Sequence, residues 1–321
     1  MSEAQEKGIR YFPIALFASV MGVSGLAMSM RLVENIYGWN NVTSNTIVVI
    51  ATLMFLANII IFFYRLVKFP EDVKQDFNHP VKMNFFGAIS ISLLLLGTLY
   101  FDMHAGLSFY TWLIGALVQF FLTLAILSKL IWKHEFQLGH FNPAWFIPIV
   151  GNIVVPLAGV HHAAVWINWM FFGIGIVFSV IYYTIFIHRI YFSPPFPVKL
   201  MPTYFILLAP PGIGFIAYIK MTGEYDMFAY VLIGFALYLG FLFLFQLHRF
   251  FTIPFFVSWW AFIFPSAAVT NAVIHFQQHI GGTVLEIICH LQVGGLITLT
   301  VYVFYKTVEL LLKQKLCVKE G

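Results

Sequence analysis

The chain has 321 residues, of which 61% are hydrophobic and 9% charged, with a formal net charge of +4 and two cysteines. Ordinary soluble domains carry about 25% charged residues, and no single core could hide this much apolar surface, whereas a bilayer solvates it. A soluble globular protein is therefore excluded. The cysteines lack CxxC or Cys/His spacing, which excludes a disulfide framework and a zinc fold.

A polar stretch containing Lys7 and Arg10 precedes an apolar run from Tyr11 to Met30. That run is too long for a signal-peptide core and is read as a retained first span. About 20 apolar residues cross the hydrocarbon as a helix. The rule predicts spans at 11–30, 46–67, 83–101, 107–132, 143–160, 166–188, 201–219, 226–248, 255–275 and 283–305. Residues 1–321 thus read as one all-α integral membrane domain of ten transmembrane helices, without a separate soluble part.

Charge placement tests the count. With ten spans, both termini and the even-numbered loops share one side. That side holds fifteen of the Lys and Arg residues, among them Lys82, Lys129, Lys133, Arg189, Arg249 and Lys319, and the other holds Arg31 and Lys220 alone. Such asymmetry places both termini in the cytoplasm of a multi-pass protein of the cell (inner) membrane. It also accounts for the positive charge without a nucleic-acid partner.

Proline adds a pattern. Pro13, Pro148, Pro156, Pro210, Pro211 and Pro265 all fall in odd-numbered spans, and the even-numbered spans contain none. Proline removes a backbone donor and bends a helix, which a membrane tolerates where the freed backbone faces protein or a water-filled cavity. The expected architecture is five helical hairpins around a central pore, with bent odd-numbered helices inside and straight even-numbered ones outside. The third span lacks proline, and the expectation there is a bend at Gly87 or Gly97, or a straighter helix.

Ionisable residues inside spans mark function, and few exist here. His290 is the titratable group well inside a span and a candidate proton relay, with a packing role as its plainer reading. His161/His162 and His275/His279 invite a metal or haem test, but adjacent or surface-lying histidines do not face one another as bis-histidine ligation requires. No phosphate loop, nucleophile elbow or HExxH is present. No enzyme activity, cofactor or metal is expected. Trp145, Trp166, Trp169, Trp259 and Trp260 read as interfacial anchors. In the ninth span Trp259 to Pro265 place bulky rings beside a proline, suited to plugging a narrow pore. Phe262 and Phe264 lie about 200° apart on a helix, so one of them at most points down the axis, and periodicity does not choose.

Four motifs in order, Asn78-His79-Pro80-Val81, Asn142-Pro143 with Val150-Gly151-Asn152, Leu208-Ala209-Pro210, and Trp260 to Pro265, resemble the tellurite-resistance TehA and dicarboxylate-transporter family. That family includes the plant slow guard-cell anion channels. The resemblance implies a homotrimer with one pore per protomer and a phenylalanine gate from the ninth helix. By motif position it selects Phe264, directly before Pro265. The implied function is an anion channel for small monovalent anions such as chloride or nitrate. The alternative is a proton-coupled dicarboxylate (malate) carrier or an exporter of sulfite- or tellurite-type anions, with His290 as proton site.

Overall fold

A computed structural model describes residues 7–132 and 136–318; Lys133 and Lys319 of the charge pattern lie outside them. Among the described residues, ten helices are long and apolar enough to cross a membrane. They are Ile14–Ile36, Val42–Lys68, Lys82–Tyr100, Ala105–Trp132, Pro143–His162, Val165–Phe192, Val198–Thr222, Met227–Phe245, Val257–Ile280 and Thr283–Leu312. Among the described residues there is no strand beyond an isolated Lys7–Val318 bridge, and Gly8 N–H donates to the Cys317 carbonyl at 3.0 Å. The two ends of the described chain therefore meet on one face.

The spans divide by burial. In the odd-numbered ones 78–94% of the apolar stretch is buried, against 22–33% in the even-numbered ones. The first span packs on the third, the third on the fifth, the fifth on the seventh, the seventh on the ninth, and the ninth returns to the first. Five helices thus close a ring. Each even-numbered span packs on the odd one before it and turns apolar side chains outward, among them Ile60, Phe121, Val180 and Val301. Those residues occupy a surface that hydrocarbon, and not water, solvates.

The bends differ from the expectation in kind. Every odd-numbered span opens with a 3₁₀ segment and continues as α-helix: Ile14–Leu16, Lys82–Phe86, Pro143–Phe146, Val198–Leu208 and Val257–Phe262. Even-numbered spans begin directly as α-helix. Pro148, Pro210, Pro211 and Pro265 sit in the first α turn after their 3₁₀ segment. There the missing N–H costs least and the fixed φ favours a helix start. Pro13 precedes the 3₁₀ segment of the first span, and Pro156 restarts the fifth after a break at Val155. The prolines therefore mark junctions more than mid-helix kinks. The third span makes the same junction without proline, at Gly87, where a side chain would press on the Pro148 backbone 3.2 Å away. Gly97 instead lets the third and fourth spans approach, against the Trp112 backbone.

Polar side chains of outer and inner spans bond the backbone around these prolines. Pro211 has no N–H for the Leu207 carbonyl, and the Tyr183 hydroxyl of the sixth span donates to it instead. The Pro148 carbonyl accepts from Gln119 Nε2 at 2.5 Å and from Asn152 Nδ2 at 2.9 Å. Gln119 Oε1 in turn accepts from Ser90 Oγ at 2.7 Å, joining the third, fourth and fifth spans. Gly151 makes this possible, because any side chain there would overlap the Gln119 amide.

On the face bearing the 3₁₀ segments, Arg65 of the second span pairs with Asp76 at 2.7 Å and donates to the Arg10 and Phe12 carbonyls. Asp76, on the short helix Pro70–Asn78, also meets Lys82 at 3.1 Å. Arg10 holds Asp72 at 2.6 Å. Its hydrogen bond keeps the Asp72 carboxyl below the usual carboxylate range. Together these pairs fasten the entries of the first and third spans.

Candidate functional site

At the level of the 3₁₀-to-α junctions the ring encloses a small apolar cavity to which all five odd-numbered spans contribute. Its walls include Met21, Phe85, Val150, Ala209, Trp260 and Phe264. The volume is about 20 Å³, room for about one water, which needs roughly 10–15 Å³. Polar surface is almost absent from the walls, so an ion there would exchange its hydration for little.

Phe264 is 4% exposed and lies on this cavity beside Pro265. Two close approaches hold its helix against the first span. A side chain on Gly25 would stand 2.7 Å from Ala267 Cβ, and one on Gly22 would stand 2.9 Å from Ile263 Cβ. Glycine at both positions lets the first and ninth spans touch on either side of Phe264. On the far side, Trp260 Nε1 donates to Thr307 Oγ1 of the tenth span at 2.9 Å, fixing the turn before Phe264.

Phe262 takes the opposite direction. It sits edge-on to Phe205 at 4.6 Å and to Trp259 at 5.2 Å. It lines a lateral apolar cleft of about 970 Å³ between the eighth and tenth spans, behind the ninth. The ambiguity between the two rings is thus resolved geometrically: Phe264 faces the ring's interior and Phe262 faces away.

Other sequence-singled residues scatter. Of Pro13, Pro148, Pro156, Pro210, Pro211 and Pro265, Pro265 alone is on the wall of this cavity. His290 is exposed on the tenth span, where its Nε2 meets the Tyr37 hydroxyl at 2.7 Å. It lies outside the ring. Trp145, Trp259 and Trp260 are buried at 5%, 6% and 1%, while Trp166 and Trp169 are exposed, so three of the expected anchors are packing residues. Of the basic residues read as marking the cytoplasmic side, Lys129 donates to the Phe77 carbonyl and Asn78 Oδ1. Arg189 lies 3.8 Å from the Phe196 ring centroid and donates to the Pro194 carbonyl. Arg249 is exposed.

Sequence reasoning missed Gln119 and Tyr183, whose signal was a polar group in an otherwise apolar outer span. It also left the motifs unexplained. His79 Nδ1 accepts from the Val81 and Lys82 N–H groups at the start of the third span. Asn142 Oδ1 caps the fifth by accepting from Ala144 N–H at 3.0 Å.

A ring of five inner helices wrapped in five helices with outward apolar faces is the build of a multi-pass membrane protein. Residues 11–308 match the family described as voltage-dependent anion channel (SLAC1), and the chain belongs to that family of anion channels and transporters. It is 28% identical to an uncharacterized transporter of Methanocaldococcus jannaschii, over 89% of this chain and 90% of that protein. It is 25% identical to a tellurite resistance protein TehA homolog of Haemophilus influenzae, over 90% of each. An S-type anion channel of Arabidopsis thaliana, SLAH2, is 26% identical over 90% of this chain and 57% of its own length. The TehA and plant-channel resemblance is thereby established.

Proposed function

We propose that the protein is a channel passing small monovalent anions, chloride and nitrate among them, along the axis of the five-helix ring, and that Phe264 is the plug that closes it. The observation that carries this reading is the cavity itself: five spans meet around it and Phe264 is part of its wall. An apolar constriction gates by excluding water, and without a strong binding site at that level an ion is not trapped. The assembly is a homotrimer in the cell (inner) membrane, each protomer with its own path and both termini cytoplasmic. The junction of the Lys7 and Val318 ends on one face and the lysine and arginine asymmetry support that orientation. Coupled carrier transport needs a proton-handling group on the path, and His290 lies outside the ring.

The test is anion current in planar bilayers or oocytes for wild type, Phe264→Ala and Phe262→Ala. Packing of a phenylalanine ring in a core contributes about 3–5 kcal/mol. If that packing holds the closed state, its loss raises conductance by roughly a hundredfold or more, at 1.36 kcal/mol per factor of ten. Phe264→Ala should therefore conduct strongly and prefer anions, and Phe262→Ala should stay near wild type. A folded Phe264→Ala that remains silent overturns the gate assignment. Saturable, pH-dependent flux through that silent protein would identify a carrier.

A further inference from the structure

All odd-numbered spans run in one direction, so their C-terminal ends share the face opposite the 3₁₀ segments. Lys220, near the end of the seventh span, is there. Ala217, Tyr218 and Ile219 before it are buried, yet Lys220 is exposed. Its Nζ donates to the Leu157 carbonyl of the fifth span at 3.3 Å. It also interacts electrostatically with Asp102, His161 and His275. Asp102 lies in the turn after the third span, which is not a ring neighbour of the seventh. A side chain bonded to the fifth span and within electrostatic range of groups at the ends of the third and ninth spans points from its helix toward the ring's mouth.

The surrounding charges leave this ammonium uncompensated. Asp102 is held by Arg31 of the first span at 3.1 Å. The His161 ring stacks on Phe101 at 4.0 Å, and His162 Nε2 meets Ser108 Oγ at 2.8 Å. Among the described residues no carboxylate lies within ion-pair distance of Lys220, whose hydrogen bond goes to a backbone carbonyl. An ammonium has three donors, and the structure uses one of them, on the Leu157 carbonyl.

We propose that Lys220 is the anion-binding residue at this mouth of the pore, taking small inorganic anions such as halide or nitrate and concentrating them above the Phe264 constriction. The proposal rests on the channel reading and adds a selectivity site that the apolar cavity does not supply. A lysine that served the helix end alone, through the favourable placement of a cation near a C-terminus, would be indifferent to the anion.

Two measurements separate these. In the Phe264→Ala background, chloride is titrated on the Lys220 side of a planar bilayer. Lys220→Met should raise the half-saturating concentration roughly tenfold, the loss expected for a hydrogen bond to a charged group, and lower the chloride-over-sodium permeability ratio. Lys220→Arg, which keeps the charge, should stay within about twofold. In parallel, bromide NMR line broadening is measured on purified, monodisperse wild type, Lys220→Met and Lys220→Arg, which needs no conduction. Broadening that is lost in Lys220→Met and kept in Lys220→Arg supports the site even if no current flows, in which case the channel reading alone fails. Currents with unchanged saturation and selectivity, or broadening that survives Lys220→Met, overturn the site while leaving the channel intact.

Discussion

The contact between the first and ninth spans is the tightest constraint near Phe264, and Gly25→Ala tests it. The added methyl would stand 2.7 Å from Ala267 Cβ, whereas carbon atoms pack at about 3.5–4.0 Å. The two helices must therefore part by about 1 Å, because the obstacle is a Cβ fixed to backbone and not the tip of a flexible chain. Overpacking of this kind costs about 1–3 kcal/mol. Thermal unfolding of detergent-solubilised protein should show the loss. Ala267→Gly alone should cost about 1 kcal/mol through helix propensity, but combined with Gly25→Ala it removes the clash. The double variant should then be at least about 1 kcal/mol more stable than the sum of the singles predicts, within the range for residues in contact. Strict additivity, or a Gly25→Ala protein that unfolds with wild type, would refute the packing argument. Because Phe264 Cδ2 lies 3.7 Å from the same new methyl, Gly25→Ala should also leak anions where wild type is closed.

Three further outcomes are expected from the geometry. Asp76→Asn leaves the buried Arg65 guanidinium without its carboxylate and should cost about 3–5 kcal/mol, seen as early loss of the monodisperse peak on heating. Gly151→Ala displaces the Gln119 amide and breaks its bonds to Pro148 and Ser90, costing about 1–3 kcal/mol. Gln119→Ala in that background should add little if the displaced amide is the cause. Because the Arg10 hydrogen bond lowers the folded-state pKa of Asp72, its contribution is complete above the unfolded value of about 3.9 and is lost as pH falls below it. Asp72→Asn should flatten the stability–pH curve between about pH 5 and 3 by no more than about 1 kcal/mol, as for an exposed pair.

The ten spans and the division into inner and outer helices were legible because hydropathy, lysine and arginine placement and proline position report independent constraints. The 3₁₀ segments were not. A few residues of 3₁₀ differ from α by one hydrogen-bond register, which leaves hydrophobic periodicity almost unchanged, so proline at the junction read as a kink. The third span, without proline, shows that the junction is a property of the ring. Trp259 and Trp260 read as interfacial anchors since an inner helix meets protein on all faces, and amphipathic reasoning has no lipid side to find. Lys220 was visible as one of two cations on its side, but its bond to the fifth span required the fold.

The five junctions also give the inner helices a mechanical property. A 3₁₀ turn rises about 2.0 Å per residue against 1.5 Å for α, and advances about 120° against 100°. For the six residues Val257–Phe262, rewinding as α-helix would shorten the span by about 3 Å and swing the adjoining α-helix by about 120°. The segment before Phe264 is thus a screw thread, in which a small axial displacement is geometrically equivalent to a large rotation of one ring.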